Sequence, residues 1–167
     1  MDTLAFLERS FWFGVAALGF AILFNVPKRT LLLITLMAAL GGSLKSLCLH
    51  FGDHVVLGTL AGAVFIGFAS IYAAHRKHAP PFIFAIPAVI PMVPGSFAYY
   101  TMRDIILLAN ETDPAQFVQL LDSGLSNGFK TLFILIAIAI GVSAPMLLTR
   151  RDSAKEIRVR LLGKGGG

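Results

Sequence analysis

The sequence predicts an all-α integral membrane protein with about five transmembrane helices. The fourth is expected to be broken at a Pro-x-x-Pro-Gly motif, and one short interfacial helix precedes the last crossing. Three observations lead there. Of the 167 residues, 56% are hydrophobic and 14% charged, with a mean hydropathy of +0.78; soluble domains carry about a quarter charged residues. Apolar runs recur at close to the roughly 20 residues that a helix rising 1.5 Å per residue needs to cross about 30 Å of hydrocarbon. The basic residues stand in small clumps between those runs, where the positive-inside effect places them. The net charge of +5 and the pI near 9.7 are therefore read as topology, and no nucleic-acid partner is expected.

Asp2, Glu8 and Arg9 precede or enter the first apolar run. That is not the basic start of a secretory signal, so the first segment is expected to remain in the protein. Four runs have spanning length: residues 11–26, 31–49, 55–74 and 129–148. A fifth stretch, residues 82–109, is long enough but interrupted. If all five cross, then Lys28 and Arg29, the His75, Arg76, Lys77 and His78 cluster, and the tail carrying Arg150, Arg151, Lys155, Arg158, Arg160 and Lys164 share one side. Asp53, Glu111, Asp113 and Asp122 fall on the other. A four-span arrangement would separate the basic tail from the basic loops. The charge rule thus favours five spans, with the N-terminus outside and the C-terminus cytoplasmic. Residues 1–149 are read as one transmembrane domain and 150–167 as a basic, flexible cytoplasmic tail.

Asp113-Pro114 supplies a cap and a first-turn proline, and Phe117, Leu120, Leu121, Gly124 and Leu125 follow at the spacing of one apolar helical face. The segment is too short and polar to span, so an interfacial helix is expected. Gly58 and Gly62 form a G-x-x-x-G, extended by Ala63 and Gly67; Ala137 and Gly141 repeat the pattern in the last span. Lipid supplies no hydrophobic drive between helices, so such positions let backbones approach. Part of that surface is available to a partner chain or a second copy, with internal packing as the alternative. Cys48 is alone, which leaves no intramolecular disulfide, and is read as a packing residue.

The interruption at "PMVPGSFAYYT", residues 91–101, carries the functional reading. Pro87, Pro91 and Pro94 each lack an N–H, at roughly 3 kcal/mol in a helix interior. Broken backbone persists within a bilayer only where protein or water satisfies it. Two half-helices meeting there, with a restart at Pro94, Gly95 and Ser96, would present amide groups and a positive dipole end to an anionic group such as a carboxylate. Ser96 is the expected cap. Tyr99 and Tyr100 lie one turn on and Arg103 and Asp104 another; an interfacial anchor belt is the alternative for the tyrosines and Arg103, and a merely kinked packing helix for the prolines. Lys45, in "GGSLKSL", is costly within a span unless it snorkels or faces a wet cavity, and Gly41, Gly42, Ser43 and Ser46 could line such a cavity. His50, Asp53 and His54, with His75 and His78, make a weak metal-binding pattern at helix ends. No G-x-S-x-G, Walker or dinucleotide fingerprint occurs, so neither an enzyme nor a cofactor is expected.

The residues also carry a family resemblance. "FNVP" at residues 24–27, "AVIPMVPGSFAYYTM" at 88–102, Ser126-Asn127 and "AIGVSAP" at 139–145 resemble the threonine/serine exporter family, in particular its small YjjB-like membrane subunit. The likeness spans roughly residues 14–148. It implies a bacterial inner-membrane exporter of small carboxylate solutes, either threonine and serine or dicarboxylates such as succinate. It also implies a larger YjjP-like membrane subunit as partner. On the matching motifs it points to Pro91, Pro94, Gly95, Tyr99 and Asn127. One departure is that Gly42-Ser43-Leu44-Lys45 stands where the second helix of the family relative has a His and an Arg; Lys45 is the expected source of positive charge.

Overall fold

A computed structural model describes the backbone of residues 3–52 and 54–163, and side chains as far as Thr149. Among these residues there are helices and turns and no strand: α1 Thr3–Leu23, α2 Lys28–Gly52, α3 Val55–Lys77, α4 Pro81–Val89, a 3-10 turn Ile90–Met92, α5 Gly95–Leu108 and α6 Pro114–Gly163. Four helices are long and apolar enough to cross a membrane. Pro81–Met92 and Gly95–Leu108, bent by 53°, meet the same test as a pair, which gives four to five candidate crossings among the described residues. Asp2, Asp53, residues 164–167 and the side chains of the basic tail lie outside the described residues; the backbone of that tail continues α6 to Gly163.

The first boundary falls earlier than the apolar run suggests, for a local reason. Asn25 adopts φ 54°, its N–H donates to the Ile22 carbonyl, and the Val26 N–H donates to the Ala21 carbonyl. This is a Schellman end with Asn in the left-handed position and Pro27 just beyond it. α3 ends by the same means: His78 has φ 49°, Ala79 N–H reaches the Ala74 carbonyl, and Pro80 follows. Both reversals are short and close the chain at the same end of the bundle.

α2 runs antiparallel to α1 and α3, and α6 runs parallel to α3. The small residues set these contacts. A Cβ on Gly62 would lie 2.7 Å from the Gly41 carbonyl oxygen, and one on Gly67 would lie 2.8 Å from that of Gly141. A Cβ on Gly141 would meet the Ala63 side chain at 2.7 Å. The G-x-x-x-G face is thus consumed inside the chain, on α2 and α6. Gly42 makes room for the Phe13 ring of α1, and beside it the Ser43 hydroxyl donates to that of Ser10 at 2.6 Å. These groups are packing surface between α1, α2 and α3.

α4 begins beside His75 and Thr149 and drives inward until Met92, 1% exposed, seats its thioether against Gly41 and Gly62. α5 continues away from that end and packs antiparallel on α6, Thr101 by Gly128 and Asp104 by Gly124. The two halves therefore run in one general direction, as a broken crossing does.

The expected interfacial helix is not a separate element. The Asp113 carboxylate accepts from the Ala115 N–H at 3.1 Å, Pro114 opens the helix, and no proline interrupts it before Pro145. The same helix goes on as the last span. Its apolar face meets α5: Leu120, Leu121 and Gly124 line a groove with Ile105 and Leu108.

Candidate functional site

Three prolines divide the work of the break. Pro87 is buried inside α4 and Pro91 lies in the 3-10 turn. Pro94, with φ −82° and ψ 60°, is the centre of an inverse γ-turn, closed by the Gly95 N–H donating to the Val93 carbonyl at 2.9 Å. α5 then starts with the Ala98 N–H on the Pro94 carbonyl. Pro94 is the capping residue and contributes no side-chain bond. Ser96 therefore does not cap, contrary to expectation: it sits inside the first turn, beyond the cap position, and its side chain is exposed.

The break is stitched to α2 by one contact. The Lys45 ammonium, half-buried, donates to the Met92 carbonyl at 3.3 Å, an acceptor left free where the helix stops. The ammonium thus sits three residues before the start of α5. Gly95 is open, since a Cβ there would meet nothing within 4 Å. The Gly95 N–H is taken by Val93, so the first-turn amides of α5 left for another acceptor are those of Ser96 and Phe97.

The remaining candidates gather elsewhere. Tyr99 and Tyr100 are exposed, at 65% and 43%, with rings edge to face at 5.6 Å. Arg103 lies over the Tyr100 ring, 5.0 Å from its centroid, and pairs with Asp104 at 2.7 Å. Asn127 is half-buried on α6 and lends its carbonyl to Thr131. None of these four makes a described hydrogen bond to the break. The nine candidates thus fall into a group at the break (Lys45, Pro91, Pro94, Gly95, Ser96) and a scattered set along α5 and α6.

Asp104 was not singled out as a site residue, yet it is 1% exposed and accepts from Ser123 Oγ at 2.5 Å and from Arg103 Nε at 2.9 Å. The signal was present, a carboxylate within an apolar run, which in a membrane segment marks function or a specific partner. Of the histidines, His75 Nδ1 lies 2.7 Å from the Ile71 carbonyl and His50 packs on Phe51. Asp53, on which the metal pattern depends, is outside the described residues.

Residues 9–148 match the family model described as Threonine/Serine exporter, ThrE. An uncharacterized protein of Haemophilus influenzae is 36% identical over 140 residues, a stretch that covers 83% of this chain and 46% of that relative. The chain thus spans about half the relative's length. No solved structure matches the chain. With most of its length matched by the family model, and with the multi-pass helical architecture described above, the chain belongs to the Threonine/Serine exporter family.

Proposed function

We propose that the chain is one subunit of a secondary transporter that exports small carboxylate solutes, threonine and serine or a dicarboxylate such as succinate, across the bacterial inner membrane. It works with a larger YjjP-like subunit and is driven by an ion or proton gradient, with its N-terminus outside and its C-terminus cytoplasmic. The observation that carries the reading is the Lys45 ammonium at the Met92 carbonyl. It sets a positive charge three residues before the restart of a broken helix, and at such a restart amide groups and the dipole favour an anion. Pro91, Pro94 and Gly95 shape that restart, and Ser96 offers a hydroxyl in its first turn. Tyr99, Tyr100, Arg103 and Asn127 lie further along the same hairpin. The family membership and the half-length match to the relative both support a transporter that needs a second half.

A second reading, a non-transporting scaffold subunit, draws on the exposed apolar side chains of α5, Ile105 and Ile106 among them. Counterflow of labelled threonine and succinate into vesicles, with and without the partner, separates the two. Transport that requires this chain and is lost in Gly95→Leu, with the complex still assembled, supports the site. Unchanged transport in that variant sinks it and leaves the scaffold.

A further inference from the structure

A groove of about 560 Å³ runs between α2 and α3. One wall is a stripe at one-turn spacing, Leu33, Leu36 and Leu40; the other is Phe65, Ala69 and Tyr72. Arg76 and Lys77 close it at one end. Arg76 lies over the Tyr72 ring, 5.2 Å from its centroid, and this stacking holds the guanidinium beside the apolar floor. Arg29 stands one turn before Leu33 on the antiparallel neighbour, so it extends the same wall toward the basic end. Neither α2 nor α3 contains an Asp or Glu, and the ion pair found among the described residues is Arg103–Asp104. The cations at the groove mouth are therefore not neutralised by a described carboxylate.

We propose that this groove binds an anionic phospholipid, an acyl chain along the leucine and Phe65 walls and the headgroup phosphate on Arg76 and Lys77. The shape and the charge belong to the same ligand. An apolar channel two to three turns long suits a hydrocarbon chain, and an Arg and a Lys at its mouth suit a phosphodiester at the membrane surface, as basic pockets between membrane helices do. The guanidinium presents several N–H donors in a planar fork matched to phosphate oxygens. A neutral lipid would leave the cations without a net anionic partner, and a free phosphate would leave the channel empty.

The test uses the full-length chain in phosphatidylcholine nanodiscs doped with phosphatidylglycerol that carries a photoactivatable acyl chain, with labelled peptides mapped by mass spectrometry. Label is expected on the α2 and α3 walls, competed by unlabelled phosphatidylglycerol but not by added phosphatidylcholine or inorganic phosphate. Each cation near a membrane surface contributes roughly fivefold to binding, so Arg76→Gln/Lys77→Gln should weaken labelling roughly thirtyfold. Ala69→Trp, which fills the channel and keeps both cations, should lower it as well. Equal labelling by a photoactivatable phosphatidylcholine, displacement by inorganic phosphate, or indifference to both variants would overturn the proposal. So would a polypeptide crosslinked across the groove in native membranes.

Discussion

Ser123 on α6 donates a 2.5 Å hydrogen bond to the Asp104 carboxylate on α5, and that carboxylate is 1% exposed. Gly124 lies against it, where a Cβ would make ordinary contact with the Asp104 Cβ at 3.4 Å. One acid thus ties the two helices of the hairpin together. Its other oxygen is held by Arg103.

Removing that tie should loosen the hairpin in a graded way. Asp104→Ala leaves Arg103 and Ser123 without their acceptor and should lower the melting temperature most. Ser123→Ala should cost less, and Asp104→Asn, which can still accept from Ser123, least. Thermal unfolding followed by size-exclusion chromatography checks the order; an Asn variant as weak as Ala would show that the ion pair matters more than the Ser123 bond.

Gly62→Ala should destabilise the chain by about 1–3 kcal/mol, the usual effect of overpacking, because the new methyl meets the Gly41 carbonyl and the Met92 side chain. Gly19→Ala in α1, where a Cβ meets nothing within 4 Å, should be neutral or stabilising by less than about 1 kcal/mol. Comparing the two variants by unfolding in detergent separates close packing from helix propensity.

Lys45→Met should strip the Met92 carbonyl of its donor, at about 1–3 kcal/mol, and abolish carboxylate counterflow. Lys45→Gln keeps a donor but not the charge. If the lysine serves the substrate, Gln restores stability without transport. If it serves only the break, Gln restores both.

Pro91→Ala/Pro94→Ala should return N–H groups to the interruption and straighten it. Relaxing the 53° bend between arms rising 1.5 Å per residue lengthens the end-to-end span by about 4 Å. Spin labels at Ala79 and Ala109, in a Cys48→Ser background, read that distance. An unchanged value would place the cause of the bend in the Met92 and Lys45 contacts instead of the prolines.

Much of this architecture was legible from the chain because lipid is a simple solvent. Apolar runs of spanning length gave α2 and α3 nearly end to end, and the prolines located the break to within a residue or two. The fusion of the expected interfacial helix with the last span was harder to read. Gln119, Asp122 and Asn127 look like a surface segment, yet nothing between Pro114 and Pro145 stops a helix, and α5 was available to cover the apolar side. The contact of Lys45 with Met92 could not be read at all. The residues are 47 positions apart, and their meeting depends on how far α4 descends before Met92 finds the space left by Gly41 and Gly62. Asp104 was visible in the sequence, but its burial depends on Ser123 of α6, 19 positions away.

The unequal helix lengths carry a further consequence. α1 has 21 residues and α3 has 23, whereas α6 has 36 as far as Thr149, or about 54 Å against roughly 30 Å of hydrocarbon. No single bilayer thickness matches both. A membrane fitted to α1 leaves α6 to tilt or to carry its first turns, and the last turns of α5 with them, clear of the acyl region. Each ångström of thickness should shift that compromise by a fraction of a kcal/mol, which makes the set of the α5–α6 hairpin sensitive to the lipid around it.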